Sequence, residues 1–255
     1  MKEKFDSSLQ KKMIDRRSSF SRKYSDLVVG KKGLGALVKH ELITLCVSRL
    51  PGALGYALRK IFFPRLLKSV GKGVVFGRGI TLRHPHKISI GDNTTIDDMV
   101  VLDAKGKDNL GIQIGQNVYV GRNTILSCKE GSIVLDDYCN LSANCSLLSE
   151  TEIHLGKYCF LAGNCYLVAG GNHSFDDPTI PIMFQPSYSK GGIKISEDVW
   201  LAAGCIVLDG VKIGQGCVIG AGSVVTRSLP EMSVALGAPA RVQKTRGRRD
   251  GKTSL

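Results

Sequence analysis

No uncharged apolar run in the sequence reaches the roughly 18 residues needed to cross a bilayer, so a membrane-spanning helix is not expected. Prolines number only 8 against 30 glycines, and no Gly-X-Y period is present, which excludes a collagen-like chain. The opening stretch MKEKFDSSLQKKMIDRRSS lacks an apolar core of secretory type. Without an oxidising compartment, the 8 cysteines are not expected to pair. Acidic residues are also few, 22 against 35 Lys and Arg, for a formal net charge of +13. The excess lies at the two ends: residues 1–70 carry 16 basic and 5 acidic side chains, and residues 241–255 carry 6 and 1. A nucleic-acid face spreads its cations over a folded surface with reader side chains among them. This distribution does not, and no nucleic acid is expected as partner. Solvated tails, an anionic lipid surface for the N-terminal part and an anionic cofactor near the C-terminal part stay open. Hydrophobic residues make up 43% and charged residues 22%, as in a folded rather than a disordered chain.

Residues 1–25 are polar, charged and Ser-rich and are expected to be flexible. Over residues 26–70 apolar side chains recur at helical spacing, and two amphipathic helices are expected, broken near Pro51 and ended near Pro64. They either cap the main domain or lie on a membrane surface, since basic residues flank Ile61, Phe62, Phe63 and Leu66.

After residue 71 an aliphatic side chain returns every six positions. The positions are Ile90, Ile96 and Leu102; Ile114, Val120 and Leu126; Leu135, Leu141 and Leu147; and Leu155, Leu161 and Leu167. An unbroken run then follows at Ile195, Leu201, Val207, Ile213, Ile219 and Val225. Three hexads close one triangular coil, so six coils of short parallel strands are expected over 71–240, followed by a basic tail at 241–255. The third residue after the aliphatic one is Asn or Gly at 93, 117, 123, 144, 164, 204, 210, 216 and 222. Both accept a positive φ, which places a sharp corner there. The fourth is small or β-branched, and it is Cys at 139, 145, 159, 165, 205 and 217. Alternation along a strand turns this position toward the same interior as the next aliphatic residue, so these six cysteines read as packing residues. Open strand edges at the prism ends need covers, which the N-terminal helices and the segment after Val225 are placed to supply.

The longest interruption separates Leu167 from Ile195 and contains His173, with Asp176 and Asp177 close by. A neutral imidazole takes a proton from a hydroxyl near pH 7, and a neighbouring carboxylate or carbonyl fixes its tautomer. The runs GGNHSF, ISEDVWLAAGCIVLDGVKIGQGCVIGAGSVVTRSLP and GAPARV resemble the hexapeptide-repeat acyltransferases, above all the sugar and exopolysaccharide O-acetyltransferases.

That resemblance implies a left-handed parallel β-helix, a homotrimer with active sites between subunits, and acetyl-CoA as co-substrate without a metal. It implies His173 as general base toward an acceptor hydroxyl and the Ala203 backbone N–H as oxyanion donor. Coenzyme A contacts fall on Ala203, Ala221, Thr226, Arg227 and Arg241, and acceptor contacts on Ser142, Asn144 and Trp200. Trp200, the only tryptophan, reads equally well as corner packing, whereas solvated charge is the lesser alternative for the two arginines. Relatives of the galactoside type have Asn where this chain has Ser142, and residues 1–70 do not match their acceptor-binding segment. An anchored or bulky saccharide in polysaccharide biosynthesis is therefore expected, in the cytoplasm or at the inner face of the membrane. N-acyl transfer, serine O-acetylation and a non-catalytic assembly module are the rival readings. A zinc hydratase of the same coil needs three converging histidines, and His84, His86, His154 and His173 do not share a phase.

Overall fold

In the computed structural model, which describes residues 20–31 and 33–247, the hexads wind into a parallel β-solenoid. Each hexad supplies one short strand and one corner. Strands three hexads apart pair in parallel, which builds three sheets, the sides of a prism. The first sheet has 7 strands, from Ser69–Val70 to Lys212–Ile213. The second has 9, from Val75–Phe76 to the C-terminal hairpin, and the third has 7, from Thr81–Arg83 to Val224–Val225. There are thus seven coils, not six. Val70, Phe76 and Leu82 form a first coil, and His84 and His86 sit at its exit corner. The in-phase gap between Leu102 and Ile114 conceals a further corner loop, 104–111.

All nine Asn and Gly corner residues have positive φ, from 55° to 83°. Met99, Tyr138, Tyr158 and Asp198 adopt the same conformation at φ 55–62°. The coil-to-coil ladder holds them there: the Asp198 N–H donates to the Lys157 carbonyl at 2.9 Å, and the Tyr158 N–H to that of Asp137 at 3.2 Å. Inside, the six slot cysteines are buried and unpaired. Each thiol reaches a carbonyl of the following coil, as Cys159 does to Ser196 at 3.0 Å and Cys217 to Pro230 at 3.0 Å. Burial pushes the Cys217 thiol up and that of Cys128, outside the slot, up to about 12, so these two sulfurs stay protonated and inert.

Helix α1 (Phe20–Tyr24) runs on into a π-helical turn, Ser25–Val29, so the end of the stretch read as flexible is helical. Helices α2 (Leu34–Val47) and α3 (Gly52–Phe62) follow on either side of Pro51, and Pro64 sits in the 3-10 turn Phe63–Arg65. Their inner sides close the open end of the solenoid. Phe63 is fully buried and packs edge-to-face on Phe76 at 5.4 Å. Arg59, also buried, donates to the carbonyls of Phe76 at 3.0 Å and Leu50 at 2.7 Å. The Ser48 hydroxyl donates to the Ile80 carbonyl, and the His40 ring lies 3.1 Å from that of Leu82. First-coil carbonyls thereby gain side-chain partners.

At the other end Leu229 bridges to Ile213, and Ser233–Gly237 pairs with Ala240–Thr245 as the last two strands of the second sheet. The residues from Arg241 to Thr245, read as the start of a tail, are therefore strand. Residues 1–19 and 248–255 lie outside the described part.

His84 and His86 stack at 6.1 Å where the π-turn meets the first coil, and the His84 N–H donates to the Val28 carbonyl at 2.7 Å. Burial lowers the pKa of His84, and burial followed by the Lys31 charge lowers that of His86 to about 4. Both rings fold neutral and the unfolded chain binds more protons, so this part of the stability is complete above about pH 6.5 and is lost as pH falls toward 4. Between pH 7 and 5 the melting temperature is expected to drop by roughly 5 °C, and a smaller drop is expected in His86→Gln. A flat profile in the unmodified chain would contradict this.

Candidate active site

The loop 170–192 leaves the third sheet after Ala169 and rejoins the first at Ile193. His173 does not hang at its tip. Asn172–His173 pairs antiparallel with Ser187–Tyr188, and the Ser174 N–H donates to the Pro186 carbonyl at 2.9 Å. The sequence suggests a carboxylate or carbonyl partner for the ring, but Asp176 accepts from the Ser174 hydroxyl at 2.9 Å and Asp177 from Thr179. No hydrogen bond joins either to His173. The ring is half-buried, and its Nδ1 is buried without a hydrogen-bond partner among the described residues.

Behind the ribbon stands a residue that the sequence reading missed. Asp209 is buried in the corner after Ile206–Val207. Its carboxylate accepts from Asn172 Nδ2 at 2.9 Å on the outgoing leg of the loop. On the returning leg it accepts from the N–H groups of Lys190 at 2.6 Å and Gly192 at 2.9 Å, and from the Ser189 hydroxyl at 3.2 Å. Burial alone would raise its pKa, but these donors outweigh it and hold the carboxyl below the usual carboxylate range. One anion thus fastens both legs of the loop to the prism. A signal existed in the sequence: Asp209 is the only carboxylate between residues 199 and 230.

The other anticipated residues fall on two corners, on the strand leading into one of them and on the terminal hairpin. Ser142 and Asn144 on one coil, Ala203 on a later one and Ala221 on the last share the corner between the second and third sheets. The Ala203 carbonyl accepts from the Gly222 N–H at 2.8 Å. The N–H groups of Ala203 and Ala221 are themselves left without a partner among the described residues, and both residues are exposed. Asn144 adopts φ 62° and accepts from Asn123 at 3.2 Å. Trp200, half exposed on the strand leading into this corner, lies nearly parallel to Phe160, with ring centroids 6.4 Å apart. Thr226 and Arg227 are exposed in the corner between the third and first sheets, the same corner from which the His173 loop departs. Arg241 is exposed on the terminal hairpin, next to the second sheet. Within one chain, the imidazole loop and the free amides are therefore rooted on opposite sides of the third sheet.

A groove of about 880 Å³ opens on the first sheet, lined by Asp136, His154, Lys194 and Lys212 among others. The His154 ring lies 3.0 Å from the Asp136 carboxylate. None of the anticipated site residues lines it.

Residues 192–227 match the family described as bacterial transferase hexapeptide (six repeats). A dTDP-4-amino-4,6-dideoxy-D-glucose acyltransferase of Escherichia coli is 30% identical over 174 residues, 68% of this chain and 80% of that protein. The galactoside O-acetyltransferase of Lactococcus lactis is 38% identical over 116 residues, 43% of this chain and 51% of that protein. A probable acetyltransferase of Mycobacterium tuberculosis is 34% identical over 53% of this chain and 44% of its own length. The chain thus spans about half the length of the last two. A variant of AntD, an N-acyltransferase from Bacillus cereus solved with dTDP and coenzyme A, superposes with a TM-score of 0.51 at 27% identity, covering 79% of this chain and 93% of that one.

Proposed function

The chain belongs to the bacterial hexapeptide-repeat acyltransferases, and from that premise we propose that it carries an acetyl group from acetyl-CoA to a hydroxyl of a saccharide. What carries the reading is the pair of exposed, unpartnered amides at Ala203 and Ala221, set on matched coils one corner away from an anchored imidazole. An extended thiol ester suits that setting. The amide of Ala221 and the cations Arg227 and Arg241, with the Thr226 hydroxyl, offer donors and charge for its phosphates and pantetheine chain. Ser142, Asn144 and Trp200 face the acceptor in this reading.

In the reaction the His173 ring takes the hydroxyl proton as that oxygen attacks the thioester carbonyl carbon. The Ala203 N–H meets the oxyanion of the tetrahedral intermediate. The C–S bond then breaks, and the imidazolium returns its proton to the departing thiolate. His173 and Ala203 are rooted on different corners, so we place the reaction between copies of a homotrimer. There the loop of one copy faces the free amides of the next, and its buried Nδ1 gains a partner.

A second reading, acylation of a sugar amine, is favoured by the acyltransferase matched over 80% of its length and by the N-acyltransferase structure. An acceptor panel that sets simple and oligomeric saccharides against a dTDP-linked amino sugar separates the two by product. The class itself is tested by calorimetry. Acetyl-CoA is expected to bind with micromolar affinity and at least about tenfold more weakly to Arg227→Ala/Arg241→Ala, the loss of two charge-assisted contacts. No binding at millimolar concentration by a folded oligomer would leave a non-catalytic solenoid.

A further inference from the structure

Helix α2 is apolar on nearly every side, yet only one side is used. His40, Ile43 and Val47 face the solenoid and are buried. Leu34, Val38, Leu42 and Leu45 are 75%, 46%, 56% and 81% exposed. At 100° per residue these four fall within about 80° of arc, a single continuous stripe. Helix α3 adds Leu54 and Ile61, 66% and 53% exposed and two turns apart. A helix pair that serves only as a cap needs one apolar side. This pair has two, and the outer one faces away from everything it packs on.

The exposed charge of the helical segment has one dominant sign. Lys31, Lys39, Arg49, Lys60, Arg65 and Lys68 are all exposed. The exposed carboxylates over residues 20–70 are Asp26 and Glu41, and Glu41 already accepts from the Tyr24 hydroxyl at 2.7 Å. An apolar stripe flanked by cations matches a bilayer interface bearing anionic headgroups: leucines enter the acyl boundary while lysines and arginines stay at phosphate depth. Among the described residues no helix is long and apolar enough to cross a bilayer. We propose that the outer face of α2 and α3 docks this protein, parallel to the surface, on an anionic membrane. The inner face remains the lid on the first coil, so both readings of the segment apply, one to each side.

The test is co-sedimentation of the full chain with vesicles of phosphatidylcholine containing 30% phosphatidylglycerol, against pure phosphatidylcholine. The expected result is binding to the anionic vesicles alone, weakened by added salt, and reduced at least about tenfold in Leu42→Asp/Leu45→Asp. Both side chains are exposed, so the variant is expected to keep the melting temperature and acetyl-CoA binding of the parent. Binding that survives the double substitution would assign the lipid contact to basic segments elsewhere and overturn the proposal. So would absence of binding, or equal binding to neutral vesicles. Light scattering covers the remaining occupant: a mass that falls in the variant shows the stripe to be a contact between copies, which also overturns it.

Discussion

His173→Ala is expected to lower turnover by about 10²- to 10⁴-fold while acetyl-CoA affinity changes by less than about twofold. The split follows from the layout. The free amides of Ala203 and Ala221 and the cations Arg227 and Arg241 belong to the coils and the terminal hairpin, whereas the ring belongs to the loop ribbon. Truncating the ring removes the proton acceptor without touching the groups proposed for the cofactor. His173→Gln preserves much of the volume and a hydrogen bond but accepts no proton at neutral pH, so it should be nearly as slow. Transfer at the parental rate in either variant, measured by release of free thiol with an acceptor, would remove His173 from the mechanism. A large loss of acetyl-CoA affinity would instead place the ring in the cofactor site.

Asp209→Ala is expected to cut turnover by about 10- to 100-fold through misplacement of the ring, since an error of about 1 Å at a reacting group costs on that order. The carboxylate touches Asn172, next to His173, and three residues of the returning leg, Ser189, Lys190 and Gly192. Removing it leaves the N–H groups of Lys190 and Gly192 without their acceptor, that of Gly192 buried, and the local remedy is for the loop to detach. Amide exchange should therefore accelerate at 190 and 192 and in the ribbon, while the core coils remain protected. Asp209→Asn keeps one oxygen but turns an NH₂ toward donors, so only partial recovery is expected. Because Asp209 acts through the ring, adding the substitution to His173→Ala should cost little further. Full additivity would mean that Asp209 has an independent role.

The residue order by itself determined the solenoid. A six-residue period of aliphatic side chains, a corner residue tolerant of positive φ and a small inward slot admit one way to bury the row, and the cysteines are explained by that slot. Even so, the first coil went unread, because the 3-10 turn Pro85–Lys87 adds two residues between Leu82 and Ile90 and puts Val70, Phe76 and Leu82 out of phase with the row that begins at Ile90. His173 was legible as chemistry and illegible as position: nothing local says that its Nδ1 would find no partner among the described residues while Asp176 and Asp177 turned to Ser174 and Thr179. The Asp209 anchor depends on residues 37 apart in the chain, which meet only because the following coil stacks its own corner on the one the loop left. The same is true of the two corners. Hexad phase says which way a side chain points, but the stacking of coils decides which corners align, and only the folded prism put the third sheet between the loop of His173 and the amides of Ala203 and Ala221.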